Sequence, residues 1–289
     1  MRSSSDSCGK ERKTDCSQAE HKECHCGGSQ KILYVVGIGP GGADYLCGRA
    51  ADVLKQAHAI AGYTTYIKLI APLIEGKKVV STGMKKEVER VEAAIDLALG
   101  GESCAVVSSG DAGVYAMAGL VFEMCQKKDI AIATPGTDDK EALQIEVVPG
   151  IPALAAGASL LGAPLTHDFA AISLSDLLTP WALIQKRLEA AASADFVIVI
   201  YNPKSKKRSG HLEEAQKIAL KYRDPKTPVG IVTGAMRENQ RIQLTTLDQL
   251  HAADVDMQTT VFIGNSNTFE YLGYMVTPRG YAKKYELDK

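Results

Sequence analysis

From Lys31 onward, apolar and polar positions alternate between two periods, one suited to strands and one to helices. The segment Lys31 to Gly42, KILYVVGIGPGG, opens the pattern. Val35, Val36 and Ile38 are β-branched and apolar, as strands favour. The run ends in Gly37, Gly39, Gly41 and Gly42 around Pro40, which predicts a tight turn. A helix is predicted next, with Asp44 in its first turn and Leu46, Ala50 and Leu54 on one face. Short strands are predicted over 57–61, 77–81, 104–108 and 145–148. Helices are predicted over 85–99 and 114–126, and in an Ala-rich stretch ending at Leu161. The longest of these places Val88, Val91, Ile95 and Leu99 on one face. This rhythm predicts a mostly parallel sheet covered on both faces.

Gly162-Ala163-Pro164 reads as a hinge. Beyond it strands are denser, over 170–174, 196–201, 229–233, 241–245 and 260–263, with helices over 180–192 and 211–222. The expected architecture is therefore α/β, in two domains with a cleft between them. The first, 31–164, is mostly parallel, and the second, 165–289, has a mixed sheet. Residues 1–30 are polar and almost free of large apolar side chains, so ordering them cannot be offset by burial.

Composition narrows the function classes. The 289 residues are 45% hydrophobic, enough for two real cores, and the net charge is -1. Such a balance supplies no global field for nucleic acid or a membrane surface. No apolar run approaches the roughly 20 residues of a membrane span, and the first residues lack the apolar core of a secretory signal. A cytoplasmic protein is expected. Of seven cysteines, Cys47, Cys104 and Cys125 fall in periodic segments and suit a core. Cys8, Cys16, Cys24 and Cys26 crowd the tail with His21 and His25. They are either incidental thiols or a zinc or iron–sulfur site, and their spacing lacks the usual C-x-x-C pair. No metal ligands are assigned.

The spacing of Gly37, Gly39 and Gly42 fits a dinucleotide fingerprint. Pro40 removes an amide where a phosphate would want one, and no acidic residue clearly ends a second strand. A nucleotide-like ligand without a pyrophosphate fits better; the alternative is a turn with no ligand. Similar turns recur at strand ends: Ser109-Gly110-Asp111, Pro149-Gly150-Ile151, Tyr201-Asn202-Pro203 and Thr233-Gly234-Ala235. Carboxyl ends of parallel strands share one rim, so these turns can converge on one cleft. Asp111 can hold a ribose hydroxyl or an ammonium group, or serve as a helix cap.

The segments GIGPGG, SSGDAGVY, VVPGIPALAAGASLLGAPLTHDFAAISLSDLLTPW and YNPKSKKR resemble the tetrapyrrole methyltransferases of cobalamin biosynthesis. The run from Thr166 to Trp181 most resembles the branch acting at C-17 of precorrin-3B or its cobalt counterpart. The resemblance spans about Lys31 to Tyr281 and implies a homodimer that binds S-adenosyl-L-methionine between two α/β domains. It implies that Pro40 with Gly39 and Gly41 lies beside cofactor and macrocycle, and that Pro149 and Gly150 adjoin the cofactor. Gly110, Asp111, Val114 and Tyr115 would line the methionine and ribose end, and Tyr201, Asn202, Gly234 and Ala235 the adenine. It also implies C-17 methylation with contraction of the ring by expulsion of carbon 20; a sister enzyme acting at another ring position is the alternative. Contraction needs proton control, for which His167, Asp168 and Ser175 are candidates. A substrate rich in acetate and propionate groups calls for cations, and Lys204, Arg208 and Arg237 are expected to supply them. Where relatives often carry Asp after the last glycine and Thr further on, this chain has Gly42-Ala43 and Cys47. From other classes, a nucleotide-binding oxidoreductase is disfavoured by the interrupted phosphate turn, and a metal-scaffold role leaves the turns unexplained.

Overall fold

The computed structural model describes residues 31–137, 139–205 and 209–285, apart from the side chain of residue 283. The cysteine-containing tail lies outside these residues, as does Arg208.

The first half begins with β1 (Ile32–Gly37), α1 (Gly48–Gln56), β2 (Ala59–Tyr63) and α2 (Thr64–Leu69). It continues with β3 (Lys78–Thr82), α3 (Glu87–Leu99), β4 (Cys104–Ser108), α4 (Met117–Lys127) and β5 (Gln144–Val148). The five strands form one parallel sheet in the order β3-β2-β4-β1-β5. Strands β1, β2 and β4 are central and read as near-continuous apolar runs, because helices cover both faces. One face packs Val91, Ile95 and Val121 over Leu33, Val35 and Val106; the other packs Val53 and Leu54 over Val36, Ile60 and Val107.

There follow α5 (Ala153–Leu161), β6 (Gly162–Ala163), β7 (Phe169–Ser173), α6 (Trp181–Ser193), β8 (Val197–Tyr201) and α7 (His211–Ala219). The chain then runs through β9 (Pro228–Thr233), β10 (Arg241–Thr246), β11 (Thr259–Ile263), β12 (Phe269–Tyr271), β13 (Tyr274–Val276) and α8 (Tyr281–Tyr285). The second sheet has the order β10-β9-β11-β8-β7. Only β7 and β8 are parallel; β11 runs antiparallel to β8 and β9, and β10 antiparallel to β9. The segment expected as a hinge forms β6, which joins β12 and β13 in a small third sheet. Helix α5 follows the first sheet in sequence but packs on the second, where Leu161 meets Val199, Val232 and Phe262. No helix among the described residues is long and apolar enough to cross a membrane.

Two helix starts differ from the sequence expectation. Asp44 is not in the first turn of α1 but in a separate 3-10 turn, Ala43–Tyr45. Helix α1 starts later because Cys47 caps it, its Sγ accepting the Ala50 N–H. Helix α4 starts at Met117 rather than 114, because Tyr115 takes φ +53°, which no α-helix accommodates.

Candidate active site

Three turns at the carboxyl rim of the first sheet are tied together, two through their backbone and the third through a side chain. Gly39 and Gly110 exchange N–H···O bonds of 3.0 and 2.7 Å. Asp111 joins a third loop to them: Oδ1 accepts the Gly113 N–H at 2.7 Å and Oδ2 the Gly150 N–H at 3.0 Å. It therefore caps no helix; it bridges two turns. Gly150 has to be glycine, since a Cβ there would stand 2.2 Å from the Gly110 carbonyl oxygen.

The second half meets this rim along a seam. The loop between β9 and β10 presses Met236 onto Gly41, where a Cβ would lie 1.9 Å from the Met236 oxygen. From the same loop Arg237 donates through Nε to the Pro40 oxygen (2.6 Å) and through Nη2 to Ser109 Oγ (2.7 Å). In the other direction Tyr115 reaches β7 and donates its hydroxyl to the Ala171 oxygen at 2.9 Å. Its ring lies 5.1 Å from that of Tyr201, whose hydroxyl accepts the Leu154 N–H at 2.9 Å. Tyr115 and Asn202 both hold positive φ, at +53° and +51°, a strained backbone typical of functional sites.

A cavity of about 200 Å³ lies in this seam. Pro40, Gly110, Asp111, Val114 and Tyr115 line it from the first half, and Tyr201, Asn202, Gly234, Ala235 and Arg237 from the second. The sequence singled out all of these. The structure adds Tyr66, Pro152, Ala153, and the segment Met257 to Thr260. The last was missed because β11 is antiparallel and brings its amino end to a rim where only carboxyl ends were sought. Tyr66 does obey the rim rule, since α2 follows the carboxyl end of β2 directly.

Burial pushes the Tyr201 phenol up to about 12, with Tyr115 and Asp111 adding to it and the Leu154 N–H opposing. Burial likewise raises Tyr115, against the Ser173 backbone and Arg187. It also raises Tyr66, against the nearby charges of Arg237 and Arg90. All three phenols therefore keep their protons at neutral pH and can donate.

The remaining candidates lie elsewhere. Gly39, Gly41, Pro149 and Gly150 sit behind the lining and hold the turns together, and the Pro149 oxygen accepts from Cys47 Sγ at 3.1 Å. Lys204 lies just beyond the Tyr201 turn, outside the cavity wall. Ser175 donates its N–H to Ser173 Oγ (3.2 Å), which also accepts from Asn202 Nδ2 (2.9 Å), so Ser175 stands behind Asn202. Asp176 pairs with His211 at 3.7 Å, and the His211 ring stacks on Trp181 at 3.9 Å. His167 and Asp168 fall at the amino end of β7, beside the start of β8. Five strand residues, ~15 Å, separate them from the rim that holds the cavity.

Residues 32–251 match the family model described as Tetrapyrrole (Corrin/Porphyrin) Methylases, and the chain belongs to that family. It is 48% identical over 257 residues to the cobalt-factor III methyltransferase of Priestia megaterium, covering 89% of this chain and 46% of that protein. It is 45% identical over 251 residues to a probable cobalt-factor III C(17)-methyltransferase of Salmonella typhimurium, covering 87% of this chain and 100% of that one. The solved structure of the methyltransferase CobJ superposes with a TM-score of 0.76 at 35% identity, over 86% of this chain and 99% of that one. The chain thus spans about half of the Priestia relative and the whole of the Salmonella one.

Proposed function

We propose that this chain methylates C-17 of a precorrin-3 type tetrapyrrole, with ring contraction, in cobalamin biosynthesis, using S-adenosyl-L-methionine. The relatives at 48% and 45% identity carry cobalt-factor III in their names, which favours the cobalt-containing macrocycle as substrate. The observation that carries the reading is the seam cavity, where the Gly110–Tyr115 turn faces Tyr201, Asn202 and Gly234.

The lining suits such a donor. It offers small residues, a carboxylate fixed by two amides, neutral phenols, and the Asn202 and Gln258 amides. In this reading Asp111 and Tyr115 hold the methionine and ribose end, and Tyr201, Asn202, Gly234 and Ala235 surround the adenine. The bound donor supplies an activated sulfonium methyl, so the transfer needs no covalent help from the protein. The chain's contribution is position, which can supply about 7–11 kcal/mol. Arg237 fixes the Pro40 turn and Asp111 fixes the Gly150 turn. Proton control of ring contraction falls in this arrangement to carboxyl-rim groups, because His167 and Asp168 of the same chain lie on the opposite rim. Lys204, Arg208 and Arg237 are the proposed contacts to substrate carboxylates, and a homodimer is the proposed assembly. Charge reversal at Arg208 should raise the macrocycle KM; an unchanged KM removes that residue from the site.

The test incubates the protein with labelled S-adenosyl-L-methionine and either cobalt-factor III or precorrin-3B, following product mass and absorption spectrum. One added methyl with a contracted-ring spectrum is expected. Incorporation into neither macrocycle overturns the proposal.

A further inference from the structure

Tyr66 is the cavity residue with the most unused chemistry. Its ring stands edge-on to Tyr63, with centroids 5.2 Å apart. Of the other two phenols of the lining, Tyr115 spends its O–H on the Ala171 oxygen and Tyr201 accepts the Leu154 N–H, whereas Tyr66 uses neither capacity. The Tyr66 hydroxyl has no hydrogen-bond partner among the described residues, and it is not a sealed-off buried atom either. Tyr66 lines the cavity, whose space a ligand can fill.

The neighbouring charges are mainly positive. Arg237 lines the same cavity and acts on Tyr66 electrostatically. Its Nε and one Nη2 hydrogen are committed to Pro40 and Ser109. A guanidinium carries five N–H donors, so three remain, including both on Nη1. Arg90 also acts on Tyr66 and is 3% exposed. Its bonds go to neutral acceptors: Thr82 Oγ1 (2.8 Å), the Gly83 oxygen (3.1 Å) and Met117 Sδ (3.7 Å). Glu87 is the one carboxylate that acts on both Tyr66 and Arg90.

A neutral phenol with a free O–H beside a guanidinium with free N–H groups matches a ligand that only accepts and carries negative charge. We infer that Tyr66 and Arg237 form a carboxylate-binding subsite in the cavity wall. This rests on the methyltransferase reading for its ligand, since both molecules proposed for the cavity carry carboxylates. One source is the amino-acid end of the methyl donor; the other is an acidic side chain of the macrocycle.

Titration calorimetry on the full chain separates the sources. The probes are S-adenosylhomocysteine, 5′-methylthioadenosine, which lacks the amino-acid carboxylate, and cobalt-factor III. Tyr66→Phe removes only the hydroxyl and keeps the ring on Tyr63; its melting temperature should match the parent. If the donor's carboxylate occupies the subsite, this variant binds S-adenosylhomocysteine about tenfold more weakly and 5′-methylthioadenosine unchanged. If the macrocycle's carboxylate does, cobalt-factor III weakens about tenfold and S-adenosylhomocysteine is unchanged. Arg237→Gln should weaken the same ligand as Tyr66→Phe. Unchanged binding of both carboxylate ligands overturns the subsite alone, as does equal weakening of 5′-methylthioadenosine. A parent protein that binds neither S-adenosylhomocysteine nor the macrocycle overturns the methyltransferase reading and the subsite together.

Discussion

The two ends of β7 differ in kind. At the amino end His167 and Asp168 face one another, Nδ1 to Oδ2 at 3.6 Å, and His167 Nδ1 also accepts the Asp168 N–H at 2.8 Å. The His167 side chain is 45% exposed, and His167 is not among the residues lining the seam cavity. At the carboxyl end Tyr115 arrives from the first half to bond Ala171, and Ser173 receives Asn202 from the cavity wall. By residue type the amino end has the better proton-transfer group. By strand direction the carboxyl end has the cavity, because loops leaving parallel strands gather there. Side-chain chemistry says what a group can do; strand polarity decides whether it meets a substrate.

That contrast can be broken most severely at the carboxyl rim. Gly150→Ala should cost about 3 kcal/mol in urea unfolding and abolish S-adenosylhomocysteine binding, since its Cβ would collide with the Gly110 oxygen. Asp111→Ala leaves the Gly113 and Gly150 amides without their acceptor. It should weaken S-adenosylhomocysteine about 30-fold by calorimetry, a loss of about 2 kcal/mol. Tyr115→Phe removes one cross-half bond, and stopped-flow should show the ligand leaving about fivefold faster, about 1 kcal/mol.

Smaller effects sharpen the same contrast. The Tyr201 phenol is raised in the folded state to about 12, so its contribution to stability is complete below the ordinary tyrosine pKa near 10. That contribution is lost as pH rises from there through about 12. Melting temperatures of Tyr201→Phe should therefore fall less steeply than those of the parent over this window. At the amino end, His167→Ala should change stability by less than about 0.5 kcal/mol and methyl transfer by less than about twofold. A large loss of turnover in a folded His167→Ala protein would show that the amino rim takes part in the chemistry.

Much of the fold was legible because the strands are short and strongly patterned. The buried runs of β1, β4 and β8 could hardly lie anywhere but in sheet interiors. The pieces that escaped were too short to show a period, such as β6, β12 and β13; β11 was legible as a strand, but not that its antiparallel course brings its amino end to the cavity rim. The packing of α5 on the second sheet also left no local mark, since an Ala-rich helix fits either half. In the cavity, the glycine-bearing turns announced themselves through backbone needs. Tyr66 did not, because one tyrosine after a strand looks the same whether or not it lines a cavity. His167 is the converse case: its chemistry is visible in sequence, and its place on the rim opposite the cavity is not.

The most direct measurement is a crystal structure of the protein with S-adenosylhomocysteine. The account predicts ligand density in the seam, bounded by Asp111 and Tyr115 on one side and by Tyr201, Asn202 and Gly234 on the other. Density at the amino rim of β7, or on a surface of one half alone, would contradict it.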